Sequence, residues 1–222
     1  CSSLTDVYYG GDINDWVSIS FGNTSANPLC YAENLYLNGD TTTPVTEINI
    51  DTATSIGAYA FDGWQGLTKV TIGDQVTNIG NYAFYNCSSL TSITISSSVT
   101  NIESGAFRYC YRLVEVINLS SLTFDVGDYG TSTSDNPILE IITEEIESQL
   151  TTINGNIYKD YNGERYFIMN IDGSTEITID SSTTQIYQRA FYNRSDITSV
   201  TIPSSVTNIG NFAFYYCSSL TS

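Results

Sequence analysis

The chain repeats itself. Leu67–Ser89 reads LTKVTIGDQVTNIGNYAFYNCSS, Leu90–Arg112 reads LTSITISSSVTNIESGAFRYCYR, and Ile197–Ser219 reads ITSVTIPSSVTNIGNFAFYYCSS. Ser174–Asp196 is a fourth copy, STEITIDSSTTQIYQRAFYNRSD, and Val45–Gly66 is a fifth, one residue shorter in its first loop. The period is the 23 residues from Leu67 to Leu90. Self-similarity at a fixed period of roughly 20–50 residues marks an array of stacked supersecondary units. A unit this short cannot bury its apolar face alone. Like units must stack into one continuous core, so the array is stable only collectively.

Each copy has the same internal logic. The segment around Val70 and Ile72 alternates apolar with polar and is rich in β-branched residues, so it reads as a short strand with Lys69 and Thr71 on the other face. Small polar residues then turn the chain, Gly73-Asp74 in one copy and Pro203-Ser204-Ser205 in another. Val76, Ile79 and the Ala83-Phe84 pair bring it back. Phe61, Phe84 and Phe107 share one repeat phase, as do Phe191 and Phe214. At strict repeat phase these rings are expected to form a buried column rather than a ligand cage. The neighbouring Ala60, Ala83, Ala106, Ala190 and Ala213 are small where backbones must approach closely.

Composition narrows the function. The net charge is −17, from 7 Lys and Arg against 24 Asp and Glu. Nucleic-acid binding needs cations to displace phosphate counterions, so it is excluded as a reading, and an anionic membrane surface would repel the chain. The bland account of the acidity is solubility. No run approaches the roughly 20 apolar residues of a membrane-spanning helix, so no membrane insertion is expected in this segment. His is absent. That removes Ser-His-Asp and Cys-His nucleophiles and every imidazole metal site.

The repeat resembles the BspA-like, or Treponema-type, subfamily of bacterial leucine-rich repeats, and five copies carry the motif well. The resemblance implies a leucine-rich-repeat solenoid: β-rich, with a parallel sheet on the concave side and short helices or turns on the convex side. It implies secreted or cell-surface proteins of host-associated microbes, acting in adhesion and in protein or matrix binding. No ligand-binding residue is fixed across such a family, so none carries over. The expected organisation is a single solenoid over residues 1–222. Because the chain opens at Cys1 without Met, and neither end shows an obvious polar cap, a fragment of a longer array is the expectation.

Two irregular inserts interrupt the pattern, at about 6–44 and 114–173. In the first, Ile13, Trp16 and Val17 have helical spacing with Asp12 as a candidate cap. In the second, LVEVINLSSL is a degenerate repeat strand, Glu140–Leu150 is read as a short acidic helix, and Asn162-Gly163 between two strand-like runs marks a hairpin.

Reactive chemistry finds little support. Cys87, Cys110 and Cys217 share one phase with Cys1, but Trp64 and Arg194 stand at the same position in other copies. A position that tolerates Trp and Arg is not a metal ligand, so buried, reduced thiols are expected. A Cys87–Cys110 disulfide is geometrically conceivable between stacked units but is not favoured. Cys30 stands alone in the first insert and could be exposed. Glu140, Glu144, Glu145 and Glu147 could in principle supply a glycosidase carboxylate pair, but a solvated face is the simpler reading. Asp12-Ile-Asn-Asp15 and Asn170-Ile-Asp-Gly173 group oxygens that could hold calcium, with turn chemistry ahead. Asn23, Asn86, Asn118 and Asn193 lie in Asn-x-Ser/Thr patterns, which arise readily in a Ser/Thr-rich chain. No cofactor, metal or catalytic residue is assigned, and the chain is read as a binding module rather than an enzyme.

The expected binding face is the concave sheet, showing Lys69, Thr71, Ser92, Thr94, Glu176, Thr178, Ser199 and Thr201. These offer few anchors, and strong contacts usually need buried aromatic or Arg side chains. The second insert supplies such residues in Tyr158, Tyr161, Arg165 and Tyr166. Affinity is therefore expected to centre there, beside the concave sheet, unless those tyrosines merely seal the array. Tyr85, Tyr109, Tyr192 and Tyr215 follow the Phe column. The expected partner is a host or matrix protein, or a glycan, met outside the cell. The rivals are a carbohydrate-binding accessory module of a larger secreted enzyme and a structural spacer. Exposed planar aromatics in a row would favour the glycan.

Overall fold

The computed structural model describes residues 3–122, 140–142 and 148–221. The chain divides into two compact units, Cys1–Ile146 and Glu147–Ser222. The first holds β1 (Asp6–Tyr8), α1 (Ile13–Trp16) and β2 (Asn34–Tyr36), followed by repeats with one longer and one two-residue strand each. The longer strands are β3 (Glu47–Ile50), β5 (Lys69–Ile72), β7 (Ser92–Ile95) and β9 (Glu115–Asn118). The short ones are β4 (Ser55–Ile56), β6 (Asn78–Ile79) and β8 (Asn101–Ile102). A further strand, β10 (Glu140–Ile142), completes a parallel sheet ordered β10-β9-β7-β5-β3, while β4-β6-β8 form a second. The register is one repeat per rung, with Lys69 opposite Glu47 on one side and Ser92 on the other. Alternation then does what the pattern requires. Val70, Ile72, Ile93 and Ile95 are buried, and Lys69, Thr71 and Thr94 turn outward and are half-buried.

The third side of each turn of the coil holds the Ala-Phe pair. Phe61, Phe84 and Phe107 stack with ring centroids 5.1 and 5.3 Å apart. The Phe61 amide donates to the Ala83 carbonyl and the Phe84 amide to Ala106, both at 2.8 Å. To aim these groups forward, the backbone enters the left-handed region twice per repeat. Tyr59, Tyr82 and Gly105 occupy one such position, with φ of 60°, 56° and 69°. Gly63, Asn86 and Tyr109 occupy the other, with φ of 79°, 54° and 66°. Such a conformation costs a residue with Cβ about 1–2 kcal/mol. The forward hydrogen bonds and the ring stacks offset that cost. Gly105 has a second reason to be glycine, because a Cβ there would lie 2.5 Å from the Tyr82 ring.

The first insert caps open carbonyls of the first repeat. Asp12 caps α1 and Asp15 returns the bond, completing a capping box. From that fixed position the Trp16 indole donates to the Ala60 carbonyl at 2.8 Å. The fully buried Asn27 amide donates to Ala60 and Tyr59 at 3.0 and 2.7 Å. The Cys30 thiol donates to the Asp62 carbonyl at 3.1 Å, which leaves Cys30 half-buried. Within the array the carbonyls equivalent to Ala60 and Asp62 accept from the preceding repeat, as Ala83 and Tyr85 do from Phe61 and Gly63. Side chains of the insert take over that role for Ala60 and Asp62.

The second unit opens with β11 (Leu150–Ile153), β12 (Asn156–Tyr161) and β13 (Glu164–Asn170), an antiparallel meander. Its β12–β13 turn is the expected Asn162-Gly163, both residues at positive φ as a type I′ turn demands. Then come β14 (Glu176–Thr178), β15 (Gln185–Ile186), β16 (Ser199–Thr201) and β17 (Asn208–Ile209). β14 pairs with β16, and β13 pairs parallel with β15, which pairs with β17. Within this unit Phe167 from the hairpin stacks in a Phe column of its own, with Phe167–Phe191 and Phe191–Phe214 each at 4.8 Å.

The acidic helix expected over Glu140–Leu150 is not formed at its ends. Glu140–Ile142 is a strand paired parallel to β9, and Leu150 starts β11. The β-branched Ile141-Ile142 pair suits a sheet edge better than an isolated helix turn. Glu144, Glu145 and Glu147 lie outside the described residues, as does Cys1.

Candidate functional site

The expected binding residues belong to both units. In the first unit, Lys69, Thr71 and Thr94 are half-buried on the longer-strand face. Ser92 is not available there. It is 1% exposed and its hydroxyl donates to the buried Glu115 carboxylate at 3.0 Å. In the second unit, Glu176, Thr178 and Thr201 are exposed and Ser199 is half-buried, on the two-stranded β14–β16 sheet.

The hairpin residues do not join that sheet. Their turn end belongs to the β13-β15-β17 sheet. Tyr158 is fully buried, packs edge-on against Phe167, and its hydroxyl accepts from the Asp180 amide at 3.0 Å. It is a core residue sealing the second unit, not a surface anchor. Arg165 is spent on a bidentate pair with Asp160, both bonds 2.8 Å, and on the Ser182 hydroxyl at 3.1 Å. That pairing holds the Asp160 carboxyl below its ordinary range. A shallow groove of about 520 Å³ runs over Arg165, Glu164 and Thr184, but its cation is already neutralised. Tyr161 and Tyr166 remain half-buried.

The oxygen-rich loops are likewise in use. Asp12 and Asp15 serve the helix cap, and the Asn170 amide donates to Asp172 and to Asn156 at 2.8 and 2.9 Å. The thiols do as the shared phase implies. Cys87 and Cys110 are fully buried and donate to the Phe61 and Phe84 carbonyls, each at 3.0 Å. Cys217 makes the same bond to Phe191 at 3.1 Å but is only half-buried.

The most coherent candidate surface is the tyrosine row on the turn side of the first unit. Tyr59 and Tyr82 stack face to face at 5.5 Å, Tyr85 meets Tyr82 and Tyr109 edge-on at 5.3 and 5.1 Å, and Tyr109 meets Tyr111 at 5.6 Å. Arg108 lies 4.9 Å over the Tyr109 ring. All five rings are half-buried. Tyr85 and Tyr109 follow the Phe column in sequence; Tyr59 and Tyr82 carry their own signal in a 23-residue spacing and join the row only in the fold.

The repeating strand, short strand and Ala-Phe turn that build this surface match the BspA type leucine rich repeat region in six copies, over residues 40–164 and 143–222. The chain belongs to the BspA-type leucine-rich-repeat family. Solved structures similar to it include a leucine rich cell surface protein from Faecalibacterium prausnitzii, at 21% identity over 82% of this chain and 67% of that one, with a TM-score of 0.32. The pneumococcal vaccine antigen PcpA follows at 16% identity, covering 100% of this chain and 48% of its own, with a TM-score of 0.37. A leucine rich repeat protein of T. pallidum matches at 18% identity over 82% and 75%, with a TM-score of 0.27. This chain therefore spans about half the length of PcpA. Such scores mark partial superpositions, and the assignment rests on the BspA-type repeat itself. Among curated proteins nothing matches. Membership implies a protein-interaction module. Among the described residues no helix is long and apolar enough to cross a membrane.

Proposed function

We propose that this BspA-type array is a cell-surface or secreted adhesion module that binds a host or matrix protein without catalysing a reaction. The observation that carries the reading is the rigid tyrosine row Tyr59, Tyr82, Tyr85, Tyr109 and Tyr111. Tyrosine gives large amphipathic contact area at low entropic cost, and these rings pack against one another. The outward strand residues Lys69, Thr71, Thr94, Glu176, Thr178, Ser199 and Thr201, with Tyr161, Arg165 and Tyr166, add polar surface to either unit.

The ring geometry also separates the rivals. A sugar packs on a free aromatic face. Stacking covers one face of Tyr59 and one of Tyr82, and Tyr85 meets Tyr82 and Tyr109 edge-on. Half-buried, mutually packed rings of mixed orientation are not a row of open planar faces, which supports the protein partner over the glycan and over a bare spacer. The test is a binding screen of the folded chain against matrix proteins and glycans, repeated with Tyr85→Ala and Tyr109→Ala. The expected result is a protein ligand whose affinity falls at least tenfold in both variants. Retention of glycans alone, binding indifferent to both substitutions, or no ligand at all would overturn the reading.

A further inference from the structure

The β3 edge of the first unit's parallel sheet is open between two closed positions. The Thr68 amide donates to the Thr46 carbonyl at 2.7 Å and the Gly73 amide to Ile50 at 2.8 Å. In a strand the N–H and C=O of one residue point to the same side, and the side alternates along the chain. Thr46, Ile48 and Ile50 therefore turn their backbone groups to β5, and the odd-numbered residues turn theirs to the outer edge. The outer positions on either side are satisfied, since the Val45 amide donates to the Leu35 carbonyl at 2.8 Å and the Asp51 amide to the Asn14 side chain at 3.1 Å. Between them the N–H and C=O of Glu47 and Asn49 face outward. Glu47 and Asn49 line a groove of about 400 Å³ together with Asn38, Asp40 and the apolar Ile13, Leu37 and Ile48.

An open strand edge is a template for another strand. Here its length is set by the cap on both sides, so it admits a short extended segment and not a second sheet. Its charge is one-signed. Glu47 and Asp40 are exposed carboxylates at the groove, and Asp40 is held ionised because the Thr42 amide and hydroxyl both donate to it at 2.7 Å. The nearest cation in the ladder, Lys69, is the β5 partner of Glu47 and does not line the groove.

We propose that this gap in the edge of β3 docks an extended, basic peptide segment of a partner protein, taken up as an added strand. Main-chain hydrogen bonds to Glu47 and Asn49 supply affinity, and a Lys or Arg beside Asp40 and Glu47 supplies selectivity. The inference rests on the protein-partner reading above but uses a different surface from the tyrosine row.

The probe is a fluorescent eight-residue peptide of alternating Lys and Val, titrated into the folded chain. Hydrogen exchange of individual amides is followed alongside. The expected result is saturable binding, with exchange at Glu47 and Asn49 slowed at least tenfold. Asn49→Pro removes an outward N–H and leaves the bonds to β5, as edge prolines do, and should weaken binding at least tenfold. Replacing Asp40 and Glu47 by Lys should transfer preference to a Glu/Val peptide. A backbone N-methylated Lys/Val peptide should fail to bind, which keeps the proposal testable should Asn49→Pro not fold. Tyr85→Ala should leave the peptide affinity unchanged, so failure of the tyrosine reading and failure of this one are separate results. No binding up to millimolar peptide, equal binding of the N-methylated peptide, or unaltered exchange at Glu47 and Asn49 overturns the proposal.

Discussion

The thiol of Cys87 donates to the backbone carbonyl of Phe61 at 3.0 Å, across the interface between two stacked repeats. The same bond joins Cys110 to Phe84 and Cys217 to Phe191. The cysteine phase is thus a recurring inter-repeat tie, and its chemistry is that of a small buried donor. Burial, the leading cause, pushes the Cys110 thiol up to about 12 and the Cys87 thiol well above its ordinary value. Only the thiolate reacts with alkylating reagents. In the folded protein at pH 8, Cys87 and Cys110 should resist labelling until denaturant is added. Cys217, half-buried, should label sooner than either. Mass spectrometry after a timed iodoacetamide pulse reads the order, and rapid native labelling of Cys87 would contradict the tie.

A second expectation concerns pH. Asp62 is 1% exposed, one carboxylate oxygen has no hydrogen-bond partner, and burial raises its pKa. The folded protein therefore holds that proton more tightly than the unfolded chain. Its contribution to stability is fully present below the unfolded value of about 3.9 and is lost as pH rises through the raised folded value. Asp62→Asn keeps the shape and removes the charge. It should raise stability at pH 7 by on the order of 1 kcal/mol and give no gain at pH 4. Urea melts at both pH values decide it, and an equal effect at the two would refute the assignment.

The left-handed turns give a third expectation. A Cβ at Gly105 would sit 2.5 Å from the Tyr82 ring at a φ of +69°. Gly105→Ala should cost about 1–3 kcal/mol, combining backbone strain with overpacking. In a Tyr82→Ala background the overpacking part vanishes, so the loss should shrink. An identical loss in both backgrounds would show that the ring does not lie over the turn.

How much of this was legible in the sequence depends on the physical range of each signal. The 23-residue period, the Phe column and the Asn162-Gly163 turn are local or periodic, and all three are found. The cap is neither. It consists of single bonds from Trp16, Asn27 and Cys30 to carbonyls more than thirty residues away, which leave no pattern in composition. Between the two roles open to Tyr158, alternation does not choose: the β12–β13 register shifts between Ile157 and Tyr158, and Ile157, Tyr158 and Lys159 are all buried. Tyr59 and Tyr82 occupy left-handed positions where backbone preference points to Gly or Asn, so propensity hid them. Glu140–Ile142 shows the usual limit for a short apolar run, whose periodicity does not separate helix from strand.

The claim beneath the rest is that the first unit is a stack of like turns held by one aromatic column. Phe84 is fully buried between Phe61 and Phe107, at 5.1 and 5.3 Å. Chemical denaturation of Phe84→Ala, beside Tyr85→Ala in the same turn, tests that claim most directly. The stack predicts a loss of about 3–5 kcal/mol for Phe84→Ala and a far smaller one for the half-buried Tyr85. A Phe84→Ala melt indistinguishable from that of the unaltered chain would contradict the stacked column.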